Sequence, residues 1–434
     1  MNGILSFVVI LLVLVIVHEL GHFTVAKLAK VKVLEFGVGF PPRVFSRQWG
    51  DTVYSLNLFP IGGFVRMVGE EDPTDPASLA GRSAAVRLAV MAAGSAMNAL
   101  LPLLLFTVVF MLPQDAIVTR VAVLEVAPGS PAEGAGVAPG DVITHADGRR
   151  LDNSFELQAA VQRRLGADTT WTIDRGGRTI EIRIAEARIA PPEGQGATGI
   201  LLADGRITVA SVASGSPASR AGLLPGDLLL RVGRSGVVSD GATQAALDAW
   251  IEETPGEPVP IIVLRGGTLT TLTAEPEAGA LGGLTLDVRP TEPRSEPVWR
   301  AVPMSFRQTW DVLVIFRNEI SRIAAGASSL DLVGPVGIAQ ITTEIAGAGL
   351  GSLITWTALL SINLAIVNML PIPALDGGRI MFVLIELARG GRRLAPEKER
   401  IAHMVGFAIL ISAIVAVSIG DIQRLISGGS PFGN

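Results

Sequence analysis

Ile10-Leu-Leu-Val-Leu-Val-Ile-Val-His18-Glu19-Leu-Gly-His22 places two imidazoles and a carboxylate at the end of an uninterrupted apolar run. No charged residue precedes His18, so the stretch predicts a membrane-spanning helix. Positions i and i+4 share one helical face. His18 and His22 therefore offer two nitrogens to a single metal ion, with Glu19 beside them as a general base. The bland alternative is a polar helix end whose side chains reach back to the interface, but ionisable groups inside a span are costly and default to function. A cleaved signal peptide would need a basic leading segment and an A-x-A-like exit, and neither is present.

Working outward, the 434 residues contain 49% hydrophobic and only 17% charged residues, with a mean hydropathy of +0.48. That balance excludes disorder and collagen-like repeats. Lys plus Arg number 35 against 40 Asp plus Glu, a net charge of -5, which argues against a nucleic-acid partner needing a broad basic face. The absence of Cys excludes disulfides, thiolate metal sites and a Cys nucleophile, and leaves the redox compartment open. With four His in the chain, any metal site must use very few of them.

The apolar excess is concentrated. Leu88 to Leu112 and Leu350 to Leu370 carry no charge, and Ile401 to Gly420 carries only His403. With the first run they predict four spans, each near the ~20 residues that cross a hydrocarbon core. Spans one and three then run in the same direction and end on one face. The segments after them, Lys27 to Arg87 and Arg379 to Arg400, are rich in Lys and Arg and should be cytoplasmic. The long segment from Pro113 to about Gly349 then lies outside.

That outer segment repeats itself. Gly129-Ser-Pro-Ala-Glu-Gly-Ala-Gly-Val-Ala-Pro-Gly-Asp141 recurs as Gly215-Ser-Pro-Ala-Ser-Arg-Ala-Gly-Leu-Leu-Pro-Gly-Asp227, each followed by strand-like runs. Ser-Pro-Ala before a short helix and Pro-Gly-Asp turning into a strand resemble the PDZ domain in its bacterial protease-associated form. The copies are placed at 119-190 and 206-290, joined by a Pro- and Gly-rich linker over 191-205. The resemblance implies peptide or C-terminus recognition by strand addition; steric spacing is the alternative.

A tetrahedral zinc site with an open position needs a third protein ligand. His145 falls in the first repeat copy on the far side and His403 in span four, and neither is attractive. Span three ends in Asn363-Leu-Ala-Ile-Val-Asn368-Met-Leu-Pro371-Ile-Pro373-Ala-Leu-Asp376-Gly-Gly378, on the same face as the His pair. The prolines break the helix and the glycines allow a tight turn, so Asp376 is the natural ligand; a helix-capping role is the alternative. Thr52 to Val68, rich in β-formers with Gly62-Gly63, could offer a sheet edge to an extended substrate or be a plain cytoplasmic hairpin. Asn98, Asn363 and Asn368 would hydrogen-bond substrate backbone freed by unwinding, or tie helices together.

Taken together, these residues resemble the site-2 protease family of intramembrane zinc metalloproteases, of the regulator-of-sigma-E protease type. The likeness spans nearly the whole chain and includes Phe40-Pro-Pro-Arg43 and Ile61-Gly-Gly-Phe-Val-Arg-Met-Val-Gly-Glu70, similar to the family's membrane-reentrant β-loop at about 36-70. It implies that His18, His22 and Asp376 hold Zn2+, that Glu19 activates water, and that Asn363, Asn368, Pro371 and Pro373 position substrate. Ser95 in Ala93-Gly94-Ser95-Ala96-Met97-Asn98 replaces the family's proline, which puts a local kink in doubt.

The expected architecture is a polytopic α-helical membrane protein with four transmembrane helices, a membrane-associated β-hairpin and two extracytoplasmic α+β PDZ domains. Residues 1-112 and 350-434 are the two halves of the protease core, and 300-349 is an amphipathic connecting region. The expected function is endoproteolysis of single-span membrane proteins in the inner membrane, near its cytoplasmic face, with anti-sigma factors or remnant signal peptides as substrates. A catalytically silent PDZ adaptor is the alternative, argued against by retention of all four reacting residues. A transporter is a further one, but H-E-x-x-H has no transport rationale.

Overall fold

The computed structural model describes residues 3–69, 78–233, 236–237, 258–275, 281–328, 332–392 and 395–427. Glu70, Arg393 and the stretches 234–235, 238–257 and 276–280 of the second repeat copy lie outside the described residues. The chain forms two compact units: Met1–Leu112 with Ser295–Trp310 and Asp331–Asn434, and Pro113–Arg294 with Asp311–Leu330.

In the first unit, four helices are long and apolar enough to cross a membrane. They are α1 (Gly3–Leu28), α2 (Ala84–Met111), α8 (Leu350–Met369) and the stretch Glu397–Ile426 of α10 (Pro396–Ile426). α1 runs through the H-E-x-x-H stretch without a break, because nothing before Lys30, at φ +58°, opposes helix. Ser83 caps α2, its hydroxyl accepting from the Val86 N–H. α2 continues through Ser95, and the proline inside it is Pro102. α7 (Pro335–Gly347) precedes α8, and α9 (Asp376–Ala388) follows the Pro371–Pro373 break.

Between α1 and α2, β1 (Val33–Trp49) and β2 (Thr52–Met67) pair antiparallel and fold back on themselves. Phe36 pairs both Val65 and Tyr54, so the opening half of β1 lies between the two halves of β2. The first half of β2 pairs onward with Arg43–Trp49. Gly63–Met67 is thus an edge whose second side pairs with no strand among the described residues.

After the short strand β3 (Gln114–Ala116), the second unit explains the sequence repeat strand by strand. The first copy comprises β4 (Arg120–Val126), β5 (Val142–Ala146), β6 (Arg149–Arg150), β7 (Thr169–Arg175), β8 (Arg178–Ile184) and β9 (Ile200–Gly205), in the order β8-β7-β5-β4-β9 with β6 on β5. The second comprises β10 (Ile207–Val212), β11 (Leu228–Val232), β12 (Gly236–Val237), β13 (Val259–Arg265), β14 (Thr268–Ala274) and β15 (Leu284–Val288), in the matching order β14-β13-β11-β10-β15 with β12 on β11. β9 lies within the segment read as linker: after the Pro- and Gly-rich stretch, apolar Ile200 to Ala203 pair with β4 and close the first sheet. The first copy therefore extends past residue 190.

Each motif residue has a mechanical job. Ser130 and Ser216 cap the short helices α3 (Pro131–Gly134) and α5 (Pro217–Arg220), and the proline that follows sits where no helical N–H is needed. Asp141 is buried, accepts the Ala138 N–H at 2.8 Å and takes both prongs of Arg175 at 2.7 and 2.8 Å. Asp227 does the same with Leu224 at 2.9 Å and with Arg265, twice at 2.7 Å. Trp171, Ile143 and Ile173 fill the first core, and Ile207, Leu229 and Ile261 the second. Leu124, Leu228, Leu230 and Leu264 form an apolar layer between the copies. A groove of about 550 Å³ lies between β9 and the helix α4 (Ser154–Arg163). In the connecting region, Asp311 of α6 (Val298–Ala324) pairs with Arg149 at 2.6 Å.

Candidate metal centre

His18 and His22 lie one turn apart on α1, and Asp376 is the first residue of α9. The reversal between α8 and α9 brings the carboxylate to the imidazoles. His18 Nε2 and His22 Nε2 are 3.2 Å apart, and Asp376 Oδ2 stands 3.2 Å from the former and 3.3 Å from the latter. The reversal is tight because two glycines permit it. A Cβ on Gly377 would stand 2.2 Å from the Leu370 carbonyl oxygen, and one on Gly378 would stand 2.4 Å from that of Ile372.

Protonation decides what the triangle can do. His22 Nδ1 meets the Val90 carbonyl at 2.8 Å and must donate to it, which leaves Nε2 a bare lone pair. The Asn98 amide nitrogen lies 3.3 Å from His18 Nδ1, while its carbonyl oxygen is buried with no hydrogen-bond partner. A half-turn of that amide would let His18 Nδ1–H donate to Asn98 Oδ1, which leaves His18 Nε2 a bare acceptor as well. Asp376 Oδ2 is itself buried with no hydrogen-bond partner. Three acceptor atoms facing one another are unfavourable unless a cation sits among them. Ligands ~2.0–2.1 Å from a tetrahedral zinc are separated by about 3.3 Å, so the donor set and spacing fit zinc.

The fit depends on how closely α2 approaches α1. A Cβ on Gly94 would stand 2.4 Å from His22 Nε2 and 2.7 Å from His18 Nε2, and one on Gly21 would stand 2.3 Å from the Ala93 carbonyl oxygen. Only glycine lets the helices cross there. In the sequence Gly94 is simply the neighbour of Ser95, and only the helix crossing gives it a role.

A cavity of about 390 Å³ opens at the centre, lined by His18, Glu19, His22, Asp376, the edge Gly63–Met67 and Arg379. Glu19 therefore faces the same space as the three candidate ligands. Of the residues expected to hold substrate, Asn98 is turned to His18, Asn363 is exposed, and Pro373 packs against α10. Asn98, Asn363, Asn368, Pro371 and Pro373 are not among the described residues lining the cavity. Arg379 was not expected there; its signal is its place three residues after Asp376, at the start of α9.

The profile of peptidase family M50 matches residues 6–413 of this chain. The chain belongs to peptidase family M50. Similar proteins cover it almost end to end. The zinc metalloprotease RasP of Geobacillus kaustophilus is 30% identical over 98% of each chain. RasP of Oceanobacillus iheyensis is 28% identical over 98% of this chain and all of its own. The regulator of sigma-E protease RseP of Salmonella typhimurium is 27% identical over 97% of this chain and 98% of its own. This M50 member is a zinc metalloendopeptidase of the site-2 protease type, and its four apolar helices make it an integral membrane protein.

Proposed function

We propose that His18, His22 and Asp376 hold the zinc, that Glu19 is the general base, and that the enzyme cleaves single-span membrane proteins within or beside the bilayer. The observation that carries this reading is the triangle of two imidazole nitrogens and a carboxylate oxygen 3.2–3.3 Å apart at the mouth of a cavity that Glu19 lines. Bound there, zinc lowers the pKa of a water toward ~7 and polarises the scissile carbonyl. Glu19 takes the proton of the attacking water and delivers it to the leaving amide nitrogen. Val90 and Asn98 hold the imidazoles in the tautomer that leaves Nε2 free.

A helical substrate hides its carbonyls in its own hydrogen bonds, so cleavage needs a locally extended chain. The edge Gly63–Met67 would supply a template for it: the strand lines the cavity, and its outer side pairs with no other strand among the described residues, so an extended segment could be added there. Asn363, Asn368, Pro371 and Pro373 are proposed to act on the substrate farther from the reacting atoms.

The two repeat copies are proposed to be extracytoplasmic PDZ domains. Their matching strand order supports this, and so does the groove between β9 and α4 in the first copy. Such a groove suits an extended peptide or C-terminus, alone or together with exclusion of untrimmed substrates by size. The basic segments after spans one and three support an active site toward the cytoplasmic face of an inner membrane. Anti-sigma factors and remnant signal peptides are the proposed substrate classes, the former because RseP is named as a regulator of sigma-E.

The ligand assignment is tested by dialysing the purified protein and its His18→Ala, His22→Ala and Asp376→Ala variants against a weak chelator and quantifying zinc. Wild type should keep one equivalent and each variant should lose it. A variant that keeps a full equivalent removes that residue from the ligand set.

A further inference from the structure

α10 is apolar over most of its length, yet His403 turns inward from it. His403 Nδ1 accepts a hydrogen bond from the Ala374 backbone N–H at 3.0 Å. Ala374 lies between Pro373 and Asp376, in the reversal that carries the carboxylate to the imidazoles, and has φ +86°. A residue with a Cβ rarely adopts that conformation, and it persists only where surrounding structure holds it. Two further contacts come from α10. A Cβ on Gly406 would stand 2.4 Å from the Pro373 carbonyl oxygen, so the helix lies directly against the reversal. The His403 ring also meets Phe382 of α9 edge to face at 5.3 Å, which fixes its plane.

We propose that His403 is a positioning residue of the metal centre: from the fourth span, its Nδ1 holds Ala374 in its left-handed conformation and thereby aims Asp376 at His18 and His22. The inference rests on the ligand reading above and concerns how the third ligand is held. α8 ends at Met369 and α9 begins at Asp376, and between them the Ile372 N–H donates to the Leu370 carbonyl at 2.7 Å and the Leu375 N–H to that of Ile372 at 3.1 Å, turn bonds that tie the reversal only to itself. Proline has no N–H, so neither Pro371 nor Pro373 can offer a donor in that stretch. The Ala374 N–H is the nearest such donor preceding the carboxylate for which the structure gives a partner outside the reversal. The arrangement needs a neutral His403 with its proton on Nε2, because Nδ1 is the acceptor.

The test separates the acceptor from the ring. His403→Phe keeps the ring and its contact with Phe382 but offers no acceptor. His403→Asn places a carbonyl oxygen near the position of Nδ1 and loses the ring. Zinc affinity is measured on the full-length protein by competition with a fluorescent chelator, beside turnover of a reporter transmembrane segment. His403→Phe should bind zinc roughly 10–100-fold more weakly, the range for losing a group that orients a ligand, and kcat should fall with little change in KM. His403→Asn should recover most of both. Should His403→Phe fail to fold, as judged by its melting profile, His403→Leu takes its place under the same criteria.

Wild-type zinc affinity in the variant without an acceptor overturns the proposal, and so does an Asn variant as weak as the Phe variant. Asp376→Ala run alongside tells the two failures apart. Zinc retained by Asp376→Ala defeats the ligand reading itself, whereas zinc lost by Asp376→Ala and kept by His403→Phe defeats only the role of His403.

Discussion

A methyl group on residue 94 would overlap both imidazoles of the candidate metal centre, with its carbon 2.4 Å from His22 Nε2 and 2.7 Å from His18 Nε2. Gly94→Ala should therefore push α2 off α1, lowering zinc affinity about 10-fold or more while leaving every ligand in the sequence. Gly420→Ala, at a helical glycine facing open space, should bind zinc as wild type does. Equal zinc affinity in the two variants, measured by chelator competition, would contradict the close-crossing account. The two histidines were legible in the sequence because helical periodicity is local. Asp376 needed an argument about a chain reversal, and the structure brings its oxygen to 3.2 Å from His18. Gly94, Arg379 and His403 were not legible as members of the site, since what places them is the packing of helices distant in sequence.

Among the elements, each repeat copy ties a turn to a strand through a buried carboxylate paired with arginine. Burial pushes the Asp227 carboxyl up, but hydrogen bonds from Arg265 and the Leu224 N–H outweigh it and hold the group below the usual carboxylate range. A group whose folded-state pKa is depressed adds stability above its unfolded value, about 3.9, and loses it as pH falls through the folded value. The second copy should thus hold firm down to about pH 4 and loosen below it, read as protease susceptibility of the full chain against pH. Arg265→Gln, by letting burial raise the folded pKa of Asp227, should flatten that acid dependence and lower stability at neutral pH by about 3 kcal/mol. An unchanged acid profile would remove the pair from the account. The terminus of α10 repeats the lesson. Asp421 is buried, accepts the Gly337 N–H at 2.8 Å and binds Arg424 at 2.7 Å. A Cβ on Gly334 would stand 2.7 Å from its Oδ2, so Gly334-Pro-Val-Gly337 reads as a helix start shaped to receive that carboxylate. Asp421→Ala should lower the melting midpoint through a loss of about 1–3 kcal/mol. Nothing local in the sequence announces this pairing, because its two sides lie 84 residues apart. The four long helices were legible from their uncharged runs, and the repeat from its thirteen-residue motif. β9 was not, since the Pro- and Gly-rich stretch before it carries a loop signature and its pairing with β4 is long-range.

On the scale of the whole molecule, the apolar excess resides mainly in helices suited to a bilayer, and the more polar repeat copies form a unit of their own. That division suits an enzyme whose substrate is also a membrane protein: hydrolysis belongs to the unit with the apolar helices, and the repeat copies are proposed to recognise peptide ends or refuse bulky chains. The central claim is that zinc held by α1 and α9 and a proton carried by Glu19 together hydrolyse a peptide bond in a transmembrane segment. The most direct test is cleavage of a reporter transmembrane segment by the reconstituted wild type and by Glu19→Gln, with zinc quantified in both. Glu19→Gln should keep its zinc and cleave ~10²–10⁴-fold more slowly. Equal turnover by the two proteins at equal zinc content would contradict the account.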